Sequence, residues 1–188
     1  MNRRKFIINT AAMASVSMFP SSVWAMVKNG KLRTAHIGVG GMGAADLSSI
    51  ASHPKVEVTA LCDVDSNALT AAQKLYPDAK IFSDYRKLLK ELGNEIDAVV
   101  VSTPDHTHAP ASIMAMEMDK AVYCQKPLTH HVSEARAMRK LAKEKKLHTQ
   151  MGIQIHSFKE YRSAVELIQD GIIGKVHTVR AWSPKNWG

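Results

Sequence analysis

Cysteine is scarce in this 188-residue chain, which holds Cys62 and Cys124 and no others. Two thiols cannot form the disulfide framework of a small secreted domain. Both fall at the ends of predicted strands that a doubly wound sheet keeps apart, so they read as small buried packing residues. Aromatics are also sparse, at 6%. A nucleic-acid reader needs aromatics interleaved with its cations or a recognised reading motif, and the net charge of +8 comes with neither. Residues 1–25 contribute Arg3, Arg4 and Lys5 without an acid, leaving +5 for the rest. The densest remaining cluster, Lys140, Lys143, Lys145 and Lys146, falls at the end of a predicted helix, where cations suit the dipole and face water. The apolar run from Ile7 to Phe19 is too short to span a bilayer. No cysteine stands near its end to take a lipid, so no stable membrane anchor is expected. The pairs His106/His108 and His130/His131 lack a carboxylate or cysteine at zinc spacing, so no metal site is expected. Internal repeats and low-complexity segments are absent.

What the N-terminus does have is a targeting pattern. Asn2-Arg3-Arg4-Lys5-Phe6-Ile7 carries twin arginines ahead of a modest apolar run, and Val23-Trp24-Ala25 offers small residues before a cleavage point. The expectation is a removable signal over 1–25 and export, to a periplasm or its equivalent, by the twin-arginine route. An ordinary secretory signal with a basic start is the alternative.

From residue 31 the chain alternates strand and helix patterns, which predicts a parallel sheet covered on both faces. Strands are expected near 32–37, 56–62, 80–82, 97–102, 120–124 and 147–151, with helices near 41–52, 66–75, 84–91, 107–118 and 132–145. Ser66 and Ser133 are candidate N-caps, and Met114, Met116, Met118 and Met138 read as core filling. His36, inside a buried strand, reads as a satisfied core histidine, and Asp105 with His106 as a polar loop and helix cap. An amphipathic helix follows from Ser157 to Asp170, and Lys175 to Trp182 has the pattern of a strand.

The segment Lys31-Leu-Arg-Thr-Ala-His-Ile-Gly-Val-Gly-Gly-Met-Gly43 runs a short apolar strand into glycines at 38, 40 and 43. That spacing suits a dinucleotide pyrophosphate: Gly38 permits a tight turn, Gly40 lets backbone amides close on the anion, and Gly43 lets the next helix pack on the strand. Alone, the pattern also fits a plain strand-to-helix turn or a cradle for S-adenosylmethionine. Asp63, twenty residues after Gly43 and at the end of the second strand, adds a carboxylate placed for ribose hydroxyls.

Two more strand ends carry chemistry: Ser102-Thr103-Pro104-Asp105-His106-Thr107-His108 and Tyr123-Cys124-Gln125-Lys126-Pro127-Leu128. Ligands of open parallel sheets bind outside the carboxyl ends of the strands, so these segments and the glycine turn converge. In this order and spacing the chain resembles the Gfo/Idh/MocA family of nicotinamide-dependent oxidoreductases from about Lys31 onward. The resemblance implies a doubly wound Rossmann domain over 31–152 and the start of an incomplete α+β substrate domain over 153–188. It also implies that Gly38, Gly40, Met42 and Gly43 cradle the pyrophosphate of NAD, with Asp63 on the ribose. Asp63 would disfavour NADP, since neither Val64 nor Asp65 offers a cation. Thr103, Pro104 and His108 would line the cofactor near its nicotinamide half. Lys126, also a cofactor neighbour, would be the catalytic lysine of a Glu-Lys-Pro motif whose glutamate is here Gln125. Gln150 and Gln154 resemble a family segment that reaches back toward cofactor and substrate. The implied substrate is the hydroxyl of a sugar or polyol, acted on by a homo-oligomer at full length. A branch of the family cleaves glycosides by transient oxidation, and a non-catalytic nucleotide-binding piece is the third possibility. The rest of the substrate domain, including an aspartate–histidine pair that manages the hydroxyl proton, is expected beyond residue 188, so the 188-residue chain is expected to bind dinucleotide with impaired turnover.

Overall fold

The computed structural model describes residues 30–182, and the expected signal over 1–25 lies outside them. The chain divides after Gly152 into two units. The first contains β1 (Leu32–Ile37), α1 (Met42–Ala51), β2 (Val56–Cys62), α2 (Ser66–Leu75), β3 (Lys80–Phe82), α3 (Tyr85–Leu92), β4 (Ala98–Val101), α4 (His108–Glu117), β5 (Ala121–Gln125), α5 (Val132–Lys145) and β6 (Thr149–Gly152). Its six strands lie in the order β3-β2-β1-β4-β5-β6, all neighbouring pairs parallel, which is the doubly wound order.

Period-two alternation builds a core on each face of this sheet. Ala60 and Cys62 join Ile37, Val99, Val101, Leu88 and Met116 on one side, while Leu61 between them packs with Val39, Leu47 and Leu69 on the other. Met116 and Met138 are buried as expected. Both cysteines are free and buried. Burial pushes the Cys62 thiol up to about 12, which keeps it protonated and unreactive. His36 is buried but only half satisfied: Nε2 meets Thr34 Oγ1 at 3.1 Å, while Nδ1 has no partner.

Both expected N-caps are displaced. Asp65, not Ser66, caps α2 by accepting from Asn67 N at 2.8 Å. His131, not Ser133, is the cap residue of α5, and Glu134 reaches back to accept its backbone N–H at 2.8 Å. At α2 the carboxylate outcompetes a hydroxyl for the orphan donor because the bond is charge-assisted and suits the helix dipole, and at α5 the Glu134 carboxylate in the first turn gains from the same dipole. The lysine cluster closes α5 as expected, with Lys145 Nζ 2.7 Å from Asp119.

In the second unit a 3-10 turn (Gln154–Ser157) leads into α6 (Lys159–Gln169), which buries none of its residues. The strand expected over Lys175 to Trp182 is not formed. A strand exists only through a ladder partner, whereas a helix closes its own hydrogen bonds. No described helix is long and apolar enough to cross a membrane.

Candidate dinucleotide site

The parallel register aligns the carboxyl ends of the strands: Ile37 pairs with Cys62 and Val101, Val101 with Cys124, and Gln125 with Gly152. A hollow of about 500 Å3 opens beyond β1, β2 and β4. Gly38, Gly40, Asp63, Thr103 and Pro104 line it, so five of the expected site residues come together there.

The glycines are fixed by close approach. Gly38 has φ +84°, and a Cβ there would lie 2.5 Å from the backbone oxygen of Ser102. A Cβ on Gly43 would run into the Gly38 carbonyl, and one on Gly40 would stand 3.2 Å from Ala68 Cβ. Gly41, which the glycine spacing alone does not single out, is the N-cap of α1 with φ 51°. No side chain caps α1 and no acid occupies its first turn; Gly43 N and Ala44 N donate to Gly40 O at 2.8 and 3.4 Å, which closes the glycine turn at the positive end of the helix dipole. Met42 opens that helix and is 54% exposed, outside the residues that line the hollow.

Asp63 anchors the cradle. Its Oδ2 accepts from Val39 N at 2.8 Å and its Oδ1 from Asp65 N at 3.0 Å, which ties the glycine loop to the end of β2. The carboxylate therefore builds the loop as well as facing the hollow. Arg86, which sequence reasoning missed, lines the same hollow, but its guanidinium is held 2.9 Å from Asp84 and lies over the Tyr85 ring. The Thr103 hydroxyl is buried without a partner, an available donor at the lip of the site. These features fit a dinucleotide: a tight glycine turn at a helix N-terminus, a carboxylate at the ribose position and an unpartnered hydroxyl.

His108 is placed differently from the expectation. It is 1% exposed and does not line the hollow. Its Nε2 meets Thr103 O at 2.7 Å and its Nδ1 meets Pro127 O at 2.6 Å. Carbonyls only accept, so a protonated ring nitrogen donates to the carbonyl it faces. His108 thus staples the loop after β4 to the loop after β5.

Lys126 lies on that second loop, exposed, and its peptide bond to Pro127 is cis. It is not among the residues lining the hollow. Its backbone N–H donates to Gln125 Oε1 at 2.7 Å. Gln125 is 4% exposed, and its Nε2 donates to Asp46 Oδ2 at 2.8 Å, an atom that also accepts from Ser102 Oγ at 2.7 Å. Sequence reading also missed Asp46. Its signal was periodicity, since Gly43, Asp46 and Leu47 form the buried i, i+3, i+4 stripe of α1 and a carboxylate in such a stripe needs a partner. Gln150 bonds Met151 O and borders a separate hollow of about 440 Å3, and Gln154 belongs to the second unit. Among the described residues, no group of three or more His, Cys, Asp or Glu side chains is arranged to hold a metal.

Comparison with known proteins agrees with this geometry. Residues 32–153 match the Gfo/Idh/MocA signature described as "Oxidoreductase family, NAD-binding Rossmann fold". A glycosyl hydrolase family 109 protein of Stenotrophomonas maltophilia is 35% identical over 137 residues, covering 66% of this chain and 29% of that protein. An inositol 2-dehydrogenase of Salmonella typhimurium is 28% identical over 147 residues, 77% of this chain and 43% of that protein. Among solved structures, myo-inositol 2-dehydrogenase from Lactobacillus plantarum superposes with a TM-score of 0.72 at 28% identity, covering 78% of this chain and 43% of that one. This chain therefore spans well under half the length of these relatives.

Proposed function

This chain belongs to the Gfo/Idh/MocA oxidoreductase family and forms its NAD-binding domain, and from that premise we propose that it serves hydride transfer between NAD and a hydroxyl of a sugar or polyol. The observation that carries the reading is the alignment of the glycine cradle, Asp63 and the Lys126 loop along the carboxyl ends of one parallel sheet. Gly38, Gly40, Gly41 and Gly43 would hold the pyrophosphate, Asp63 the adenosine ribose, and Thr103 and Pro104 the far half. Bound NAD supplies the hydride acceptor. Lys126 is the residue proposed to act at the substrate: its ammonium donates to the hydroxyl oxygen and stabilises the alkoxide as the proton passes to a general base, the role that the resemblance gives to an aspartate–histidine pair, and the carbon-bound hydrogen departs as hydride. A positioned proton acceptor adds about 100- to 10,000-fold. The test follows NADH formation with inositols and hexoses in the protein extended through the substrate domain that the resemblance implies. The reading expects a rate abolished by Lys126→Ala, and a rate indifferent to that change overturns it.

A second reading, glycoside cleavage through transient oxidation, draws on the likeness to the family 109 glycosyl hydrolase. It differs in its product balance, since aryl glycosides would release phenol with no net accumulation of NADH. Export by the twin-arginine route is a further proposal, resting on Arg3 and Arg4. Replacing both by lysine should hold the precursor in the cytoplasm, and unchanged export would point to the general secretory route.

A further inference from the structure

We propose that Asp46 and Gln125 act as one positioning unit for Lys126, with the carboxylate that the Glu-Lys-Pro motif would carry on β5 moved to α1. The proposal rests on the assignment of Lys126 to the reaction centre. Its physical basis is the fixed orientation of a single amide. Asp46 Oδ2 can only accept and the Lys126 N–H can only donate, so Gln125 must turn Nε2 to the first, at 2.8 Å, and Oε1 to the second, at 2.7 Å. Each end of the side chain then has one permitted partner, and the chain direction at Lys126 follows from the location of Asp46.

The same geometry explains why glutamine replaces glutamate here. A glutamate at this position of β5 would set two carboxylates against each other in a buried site, and one would have to take up a proton. Asp46 already has Ser102 Oγ as a donor at 2.7 Å, and its charge is felt by His36 on β1 and Tyr123 on β5. Gly152 on β6 leaves the room required: a Cβ there would stand 2.7 Å from Tyr123 Oη and 3.0 Å from Gln125 Oε1. α1 and β6 thus meet at one amide of β5, while the second hold on this loop, His108 to Pro127 O, acts one residue further on.

The test uses the full chain and two readouts: amide hydrogen exchange at Lys126, and the affinity for NADH relative to ADP-ribose, which lacks the nicotinamide. Gln125→Glu at neutral pH is expected to lose at least about tenfold in Lys126 protection and about fivefold in the NADH to ADP-ribose ratio. The exchanged pair, Asp46→Asn with Gln125→Glu, restores one carboxylate and one amide, with the amide now on α1 donating to the carboxylate on β5 and to Ser102 Oγ. It should return both readouts to within about twofold of the parent, a non-additivity that independent sites do not show. Gln125→Met, uncharged and similar in shape, serves if Gln125→Glu does not fold, and should lose Lys126 protection while β4 amides keep theirs. Unchanged Lys126 protection in Gln125→Met, or an exchanged pair no better than Gln125→Glu, overturns the proposal. If Lys126→Ala itself leaves the NADH to ADP-ribose ratio unchanged, the assignment of Lys126 to the reaction centre fails, and Lys126 protection still decides the positioning role.

Discussion

The two ends of the strand-end crevice are built by different means. Around β1 and β2 the site is made of backbone: Gly38 and Gly43 leave room for main chain to approach main chain, and Asp63 spends its oxygens on loop N–H groups. Around β5 it is made of side chains drawn from distant parts of the sequence, Asp46 to Gln125 across 79 residues and His108 to Pro127 across 19. A backbone cradle needs particular residues at fixed short spacings and is local. A side-chain network needs the sheet to be assembled first.

That contrast is broken most directly at Gly38. Gly38→Ala puts a methyl into the Ser102 carbonyl at φ +84°, and is expected to cost more than about 4 kcal/mol in urea unfolding and to abolish NADH binding. Gly41→Ala meets no atom within 4 Å, so only its backbone strain counts, about 1–3 kcal/mol, and equal losses at the two positions would contradict a steric origin.

Acid probes the charge of the side-chain network, because His36 on β1 feels Asp46. Burial lowers the His36 pKa from 6.5 to about 4, against the opposing pull of Asp46. The folded state therefore binds fewer protons than the unfolded state in this window, and stability is full above 6.5 and falls as pH drops toward 4. The loss should reach about 3 kcal/mol at the bottom of the window. His36→Gln should flatten that part of the stability profile, and an unaltered slope would assign acid sensitivity elsewhere.

Cofactor choice compares the two roles of Asp63. NADH should bind at least about tenfold more tightly than NADPH, because a 2′-phosphate would face the carboxylate while Asp84 occupies Arg86. Fluorescence titration with both cofactors measures this. Asp63→Asn, which keeps an acceptor for Val39 N and loses the one for Asp65 N, should narrow the ratio and loosen the loop less than Asp63→Ala does.

The smallest effect is expected in the second unit. Val179→Ser changes an 81% exposed side chain in a segment with no ladder, and should shift the unfolding free energy by no more than about 0.5 kcal/mol. A larger loss would show that this segment is paired in solution.

The sequence by itself determined the alternation of elements, the sheet's doubly wound character and the cradle of Gly38, Gly40 and Gly43, because periodicity and glycine spacing are local properties of the chain. Asp63 was equally visible as a strand-end carboxylate, though its bond to Val39 was not. Tertiary structure alone decided that His108 would be a buried staple, that Arg86 would share the hollow with Asp63, and that Asp46 would hold Gln125. It also decided against a strand at 175–182, whose alternating pattern describes a face but supplies no partner. The reason is common to all four: a hydrogen bond or ladder between residues far apart in sequence exists only once the fold has brought both partners to the same place.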